Sequence, residues 1–139
     1  MPPVATGPTP ALANGAGGFQ VGDGNVNEAI MSRQGAIVAY TATATTLLAA
    51  DIANGLISST NAGAQAVTLP LAADMDTAFP NAGLNSSMDF SVQSSGNTVT
   101  MTTNTGWTLS GTMTIATTVT GMFRARKTGT AAWTLYRIA

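Results

Sequence analysis

Residues 88–103, MDFSVQSSGNTVTMTT, carry the clearest secondary-structure signal in the chain. Apolar and polar side chains alternate over residues 88–93, which is the pattern of a strand with one buried face. The Ser-Gly-Asn sequence at 95–97 predicts a turn, and the alternation resumes over residues 98–103 with threonines on one side. This stretch therefore predicts two consecutive strands, and it places Phe90 in the middle of a buried face.

The same alternation continues on both sides of this stretch. Further strands are predicted at Ala36–Thr46, Leu56–Thr60, Gln65–Leu69, Trp107–Leu109, Met113–Ile115, 118–126 and Trp133–Ile138. Residues 107–115 are interpreted as either one bent strand or a tight hairpin. A helix is predicted at Leu71–Phe79, where Pro80 ends it, and a single helical turn at Leu47–Ala53.

These segments amount to about eight strands and one short helix, a spacing typical of an all-β protein. The sequence predicts an antiparallel sandwich of the jelly-roll kind, preceded by an extended N-terminal arm. No internal repeat of about 20–50 residues is apparent, which argues against a solenoid.

The composition excludes several classes of function. The 139 residues favour one domain, and only 8% are charged, against about 25% in an average soluble domain. Five basic and six acidic residues give a formal net charge of −1, which predicts neither a nucleic-acid partner nor a membrane partner. The absence of His and Cys removes the commonest general base, thiol nucleophiles and the usual zinc ligands. Instead, 23 Thr and 24 Ala predict strands with neutral outer faces, which suit assembly.

Residues 1–35 differ from the rest of the chain. Four prolines and seven glycines in this segment oppose regular structure, so the predicted division is an extended arm at 1–35 and a β domain at 36–139. An isolated arm of this kind is either a floppy terminus or a segment that becomes ordered against a partner. For the second case, the predicted anchors are its large apolar residues Phe19, Val21, Ile30 and Met31.

Few residues suggest chemistry. Asp74 and Asp76 are the nearest approach to a catalytic pair, but residues two apart on a helix do not face each other. Asp23, Asn25 and Asn27 have the alternate spacing of the ligands in a calcium-binding loop. However, this segment lacks the glutamate that ends such a loop. We therefore predict no enzyme activity and no catalytic, cofactor-binding or metal site.

Two groups of residues are candidates for binding. Arg124, Arg126, Lys127 and Arg137 hold four of the five positive charges, and on neighbouring strands they would form one basic patch. Such a patch serves either to guard a sheet edge or to contact an acidic partner surface. Trp107 and Trp133 are predicted in the core, with sugar stacking on an exposed sheet as the alternative.

Six segments together resemble a known family. They are TLLAADIANGLI (46–57), QAVTLPLA (65–72), MDFSV (88–92), NTVTM (97–101), GWTL (106–109) and GMFRAR (121–126). In order and spacing they are similar to the cement, or decoration, proteins of tailed bacteriophage capsids. The likeness covers residues 40–139 and leaves the arm outside.

The resemblance implies a β jelly roll, made in the host cytoplasm, on the outer capsid surface of the virion, where it cements neighbouring major capsid subunits. Its implied partners are the major capsid protein and itself, as a homodimer in preference to a homotrimer. It implies no catalytic residue and no cofactor. The alternative is a receptor- or glycan-binding β module of a tail fibre or bacterial surface protein, which exposed tryptophans would favour. A secreted carbohydrate-active enzyme would need paired carboxylates in a cleft.

Overall fold

The computed structural model describes residues 34–139 and shows a mainly-β fold. The described part contains ten strands and two helices, in the order β1 (Val38–Tyr40), β2 (Ala44–Thr46), α1 (Ala49–Asn54), β3 (Leu56–Ser59), β4 (Gln65–Thr68), α2 (Ala72–Ala78), β5 (Ser87–Ser94), β6 (Val99–Thr102), β7 (Trp107–Ser110), β8 (Thr114–Ile115), β9 (Thr120–Gly129) and β10 (Ala132–Arg137). The predicted mainly-β class is therefore confirmed, and so is the helix predicted at Leu71–Phe79.

The strands form two mixed sheets. The first sheet has six strands in the order β1-β3-β5-β9-β10-β7, and the second has four in the order β2-β4-β6-β8. Parallel pairs join β1 to β3, β3 to β5 and β10 to β7 in the first sheet, and β2 to β4 and β4 to β6 in the second. Among the strand pairs of the described residues, only β5–β9, β9–β10 and β6–β8 are antiparallel. The prediction of an antiparallel architecture was wrong.

The parallel pairing comes from a winding path. Strands β1 to β6 alternate between the two sheets, so each turn of the chain adds one strand to both. In the first sheet, Val38 of β1 lies opposite Ile57 of β3, and Ile57 lies opposite Val92 of β5. One turn of the winding therefore takes 19 residues and the next takes 35. Residues 38–102 therefore wind like a short solenoid. Helix α2 and the loop after it lengthen the second turn, and for this reason no regular repeat is visible in the sequence.

Two predicted segments are divided between the sheets. Ala36–Thr46 holds β1 in the first sheet and β2 in the second, with residues 41–43 crossing between them. In the same way, residues 107–115 form β7 and β8, which belong to different sheets. Neither the bent strand nor the hairpin predicted there is present. Hydrophobic alternation indicates which face of a strand is buried, but it does not indicate which strand lies beside it.

Both sheets contribute to one hydrophobic core, and residues 35–139 form one compact unit. Phe90 from β5 is 2% exposed, as predicted, and its ring stacks on Phe123 from β9 with 5.7 Å between centroids. The second sheet contributes Val67, Met101 and Ile115, each at most 1% exposed. The described residues thus have a continuous apolar interior despite the small number of large side chains.

Helix α1 has recognisable ends. The carboxylate of Asp51 accepts the Leu48 amide at 2.8 Å, which satisfies one of the unpaired N–H groups of the first turn. Gly55 ends the helix with φ of +86°, a conformation that glycine adopts without a steric penalty. The helical turn predicted at Leu47–Ala53 is therefore a short helix one to two residues further along.

The arm predicted at residues 1–35 lies almost wholly outside the described residues. Its four proposed anchors and the Asp23, Asn25 and Asn27 loop also lie outside them. These remain predictions from sequence.

Candidate partner-binding surface

The outer face of the first sheet is formed by alternate residues of its strands. On β9, Met122 and Arg124 point away from the core, while Phe123 and Ala125 are fully buried. The residues opposite them on β5 are Ser91 and Asp89, and β3 adds Leu56 beside Ser91. We call this surface the outer face. Most of its side chains are neutral.

One ion pair crosses the outer face between β9 and β5. Arg124 Nε donates to Asp89 Oδ1 at 2.6 Å, and a guanidinium nitrogen donates to Oδ2 at 2.8 Å, which makes the contact bidentate. These hydrogen bonds hold the pKa of Asp89 below its usual value. Both side chains are close to half exposed, so the pair contributes little to stability. Its effect is to neutralise the two charges within the chain.

The four cations predicted to share a patch are divided between two faces. Arg124 and Arg126 lie on the outer face, where Arg126 donates to Asn85 and to the Tyr136 hydroxyl. Lys127 and Arg137 pair across the sheet with buried residues, and they therefore lie on the inner side. The sequence contained a signal for this division, because Arg137 is two and four residues from the buried Leu135 and Trp133. A single patch of Arg124, Arg126, Lys127 and Arg137 is not present.

Arg137 closes one end of the core. Its guanidinium carbon lies 5.1 Å from the centroid of the Phe123 ring, a cation–π arrangement. The same group donates to the carbonyl oxygens of Thr112 and Thr114 at 3.4 and 3.3 Å and to that of Ala139. This cation is held by the β8 segment and by the chain that follows β10.

Asp76 joins α2 to the β9–β10 hairpin. Its carboxylate accepts the Ala131 amide at 2.7 Å and the Trp133 indole N–H at 2.9 Å, and Lys127 Nζ lies 3.0 Å away. The Ala131 amide is the largest cause that lowers the pKa of Asp76, and the indole and Lys127 lower it further. Asp74 is exposed on the same helix. Asp76 is therefore a structural anchor, and the sequence offered no sign of it because its partners are more than 50 residues away.

Both tryptophans belong to the core, as predicted. Trp133 is 1% exposed and Trp107 8%, and their rings lie 6.0 Å apart. The indole N–H of Trp107 donates to the Pro70 carbonyl at 2.7 Å, so both indoles have hydrogen-bond partners. Neither ring is available for sugar stacking, and the observation that would favour a glycan-binding module is missing.

A second polar contact joins β1 to α1. The Tyr40 hydroxyl donates to Asp51 Oδ2 at 2.5 Å. Burial, followed by the hydrogen bond and the negative charge of Asp51, raises the pKa of Tyr40 to about 12. The contact ties the first strand of the winding to the helix that precedes β3.

An apolar groove lies where the two helices begin. Its volume is about 490 Å³, and its lining includes Leu48, Pro70, Leu71 and Asn104. Leu48 is 64% exposed and Leu71 41%, which is unusual for leucine side chains that are close together. Among the described residues of the lining, Asp74 is the one that carries a charge. The groove suits an apolar side chain of a partner more than a charged ligand.

No group of three His, Cys, Asp or Glu side chains within residues 34–139 is arranged to hold a metal ion. No helix in that part of the chain has the length and apolar character needed to cross a membrane.

Comparison of the chain with protein-family models, with curated proteins and with solved structures gave no match.

Proposed function

We propose that the chain is a structural virion protein that binds the outer surface of an icosahedral phage capsid and cements neighbouring major capsid subunits. The proposal rests on the sequence resemblance and on the surface described above. Within it, the two sheets stack as a sandwich, residues 1–35 serve as an attachment arm, and the protein acts as a homodimer.

The observation that carries the proposal is how few charged side chains the described part of the β domain leaves without a contact in the chain. Residues 34–139 contain four acidic and four basic side chains, so their formal charges cancel. Three of the acidic side chains and all four basic ones form hydrogen bonds or ion pairs within the chain. Of these eight side chains, only Asp74 lies outside these contacts. Because a neutral surface repels its own copies weakly, it suits a protein repeated hundreds of times on a lattice.

Two apolar features supply contacts on that surface. The groove beside Leu48 and Leu71 accepts an apolar side chain, and full burial of such a side chain is worth about 1.5–3 kcal/mol. The outer face adds Met122, which is 43% exposed. Each contact is modest, but a capsid presents many equivalent sites and the total attachment is the sum over the lattice.

The decisive experiment is electron microscopy of purified particles of the phage that encodes this chain. We expect density for the β domain on the outside of the shell, in contact with more than one major capsid subunit. Particles stripped of the protein should rupture at a lower temperature than complete ones, and adding the protein back should restore the difference. Absence of the chain from the shell, or equal rupture temperatures, would contradict the proposed function.

A matched pair of variants tests the groove. Leu71→Asp places a charge in the apolar lining and should reduce capsid occupancy, as measured by cosedimentation. Leu84→Asp is the control, because Leu84 is 66% exposed and does not line the groove. Equal occupancy of the two variants would show that the groove takes no part in attachment.

A further inference from the structure

The first turn of the winding leaves two strand edges open side by side. β1 lies at one edge of the first sheet and β2 at one edge of the second, and within residues 34–139 no strand pairs with their outer sides. Only three residues separate the two strands along the chain. Such a connection spans at most about 14 Å, so the two edges are close neighbours.

Within the part of the chain that the structure describes, these edges present backbone groups that no other strand pairs with. The carbonyl oxygens of Tyr40 and Thr43 accept amides on the β3 and β4 sides, each at 2.9 Å. Because successive strand residues direct their backbone groups to opposite sides, Ala39, Ala44 and Thr46 point theirs outward. An open strand edge of this kind is a template for another strand.

The edges also lack the usual protection against pairing. Residues 34–50 contain no charged residue and no proline, and the β1–β3 and β2–β4 registers run without a bulge. Ile37 and Leu48, which flank the two strands, are 57% and 64% exposed. Residues 37–48 are therefore a neutral segment, and we call the outer sides of its two strands the β1–β2 edge.

The opposite ends of the sheets are protected. The Thr103 hydroxyl donates to the carbonyl of Trp107 in β7 at 3.1 Å. Arg137 occupies carbonyl oxygens at Thr112 and Thr114, and it places a positive charge beside β8. The contrast between the two ends singles out the β1–β2 edge.

We infer that the β1–β2 edge is a homodimer interface, in which β1 and β2 pair antiparallel with the same strands of a second copy. A single segment could follow both edges only by crossing between the sheets, as residues 38–46 do against β3 and β4. A second copy offers both at the same separation, and one two-fold axis normal to the sheets brings each strand opposite its own counterpart. The first sheet then continues over twelve strands and the second over eight, from six and four in each copy.

This inference names the interface of the homodimer in the proposed function, and two lysine variants test it. In the edge variant, Ala39→Lys and Ala44→Lys place like charges near each other across the axis, at positions that are exposed in the chain. The control variant, Thr108→Lys and Thr114→Lys, adds the same charge at exposed positions of β7 and β8. The mass in solution of the full chain and of each variant is measured by sedimentation over a range of concentrations.

We expect the wild type and the control variant to be dimers, and the edge variant to dissociate with a dimer Kd raised about tenfold or more. A wild type that is monomeric or trimeric, or an edge variant that dimerises as well as the control, would overturn the inference. Circular dichroism verifies that each variant is folded.

If the edge variant does not fold, hydrogen exchange of the wild type decides the question. The amides of Ala39, Ala44 and Thr46 should become protected as the protein concentration rises. Protection that persists in a monomer at all dilutions would mean that another segment of the same chain covers the edge, and the inference would fail. Capsid cosedimentation separates this result from the proposed function. A dimer that does not bind capsids contradicts only the capsid-binding function, and a monomer that binds them contradicts only the homodimer and its interface.

Discussion

Replacing Asp76 with alanine should destabilise the fold far more than its partly exposed position suggests. The change removes acceptors from the Ala131 amide, the Trp133 indole and Lys127, at 2.7, 2.9 and 3.0 Å. Trp133 is 1% exposed, so its N–H would be left without a partner in the core. One buried unsatisfied donor costs about 1–3 kcal/mol and a hydrogen bond to a charged group about 1.5–3 kcal/mol, so we expect a loss of about 2–4 kcal/mol in the free energy of unfolding.

Asp74→Ala is the matched control, because Asp74 lies on the same helix and its side chain is exposed. Asp74→Ala should change the free energy of unfolding by no more than about 0.5 kcal/mol, as most surface substitutions do. Urea unfolding followed by far-ultraviolet circular dichroism measures both variants without relying on tryptophan fluorescence near the mutated site. Similar losses for the two variants would refute the anchoring role of Asp76.

The contacts of Asp76 also predict that the stability of the fold decreases at acidic pH. The pKa of Asp76 is held below the ordinary 3.8, so its carboxylate favours the folded state above that pH. This contribution is lost as the pH falls through the lowered pKa and the side chain becomes protonated. The stability difference between the wild type and Asp76→Asn should therefore be full at neutral pH and shrink below about pH 3.8. A difference that does not change with pH would show that the charge is unimportant.

Three other outcomes follow from the described contacts and from the predicted arm. Phe90→Ala should cost about 3–5 kcal/mol in urea unfolding, and Asp89→Ala much less, and comparable losses would contradict the assigned faces. Because the pKa of Tyr40 is raised from 10 to about 12, its neutral hydroxyl favours folding below pH 10, and this stability should be lost between pH 10 and 12. In Tyr40→Phe, the free energy of unfolding measured as a function of pH should no longer show this loss between pH 10 and 12. If the loss remains in the variant, another group causes it. Deleting residues 1–33 should leave melting nearly unchanged but greatly reduce capsid occupancy, and unfolding of the truncated chain would contradict the predicted domain boundary.

The sequence predicted local structure well because that structure depends on neighbouring residues. Alternation located β3, β4, β5 and β10 to within one or two residues, and Pro80 marked the end of α2. It also assigned Phe90 and both tryptophans to the core. The sheet order could not be predicted in this way, because a strand with one buried face has the same pattern whichever strand lies beside it.

The faces on which the four basic residues lie were predicted less well, for a related reason. Grouping Arg124 and Arg137 by their nearness in sequence ignored the two-residue period of β10, which places Arg137 on the face of Leu135. The anchoring role of Asp76 depends on Ala131, 55 residues further along, and no local pattern contains that distance. The open β1–β2 edge could be described only once the sheet order was known.

The place of β10 in the first sheet has a consequence for synthesis of the protein. β10 lies between β9 and β7, so it is an interior strand although it follows all the others in the sequence. Within the described residues, β7 pairs with β10 alone, and it therefore has no partner until residues 132–137 have left the ribosome. Because translation adds about 5–20 residues per second, β7 has no partner strand for about a second or more after its synthesis, and one side of Trp107 is uncovered during that time. The six-stranded sheet is thus completed only after its interior strand β10 has been translated.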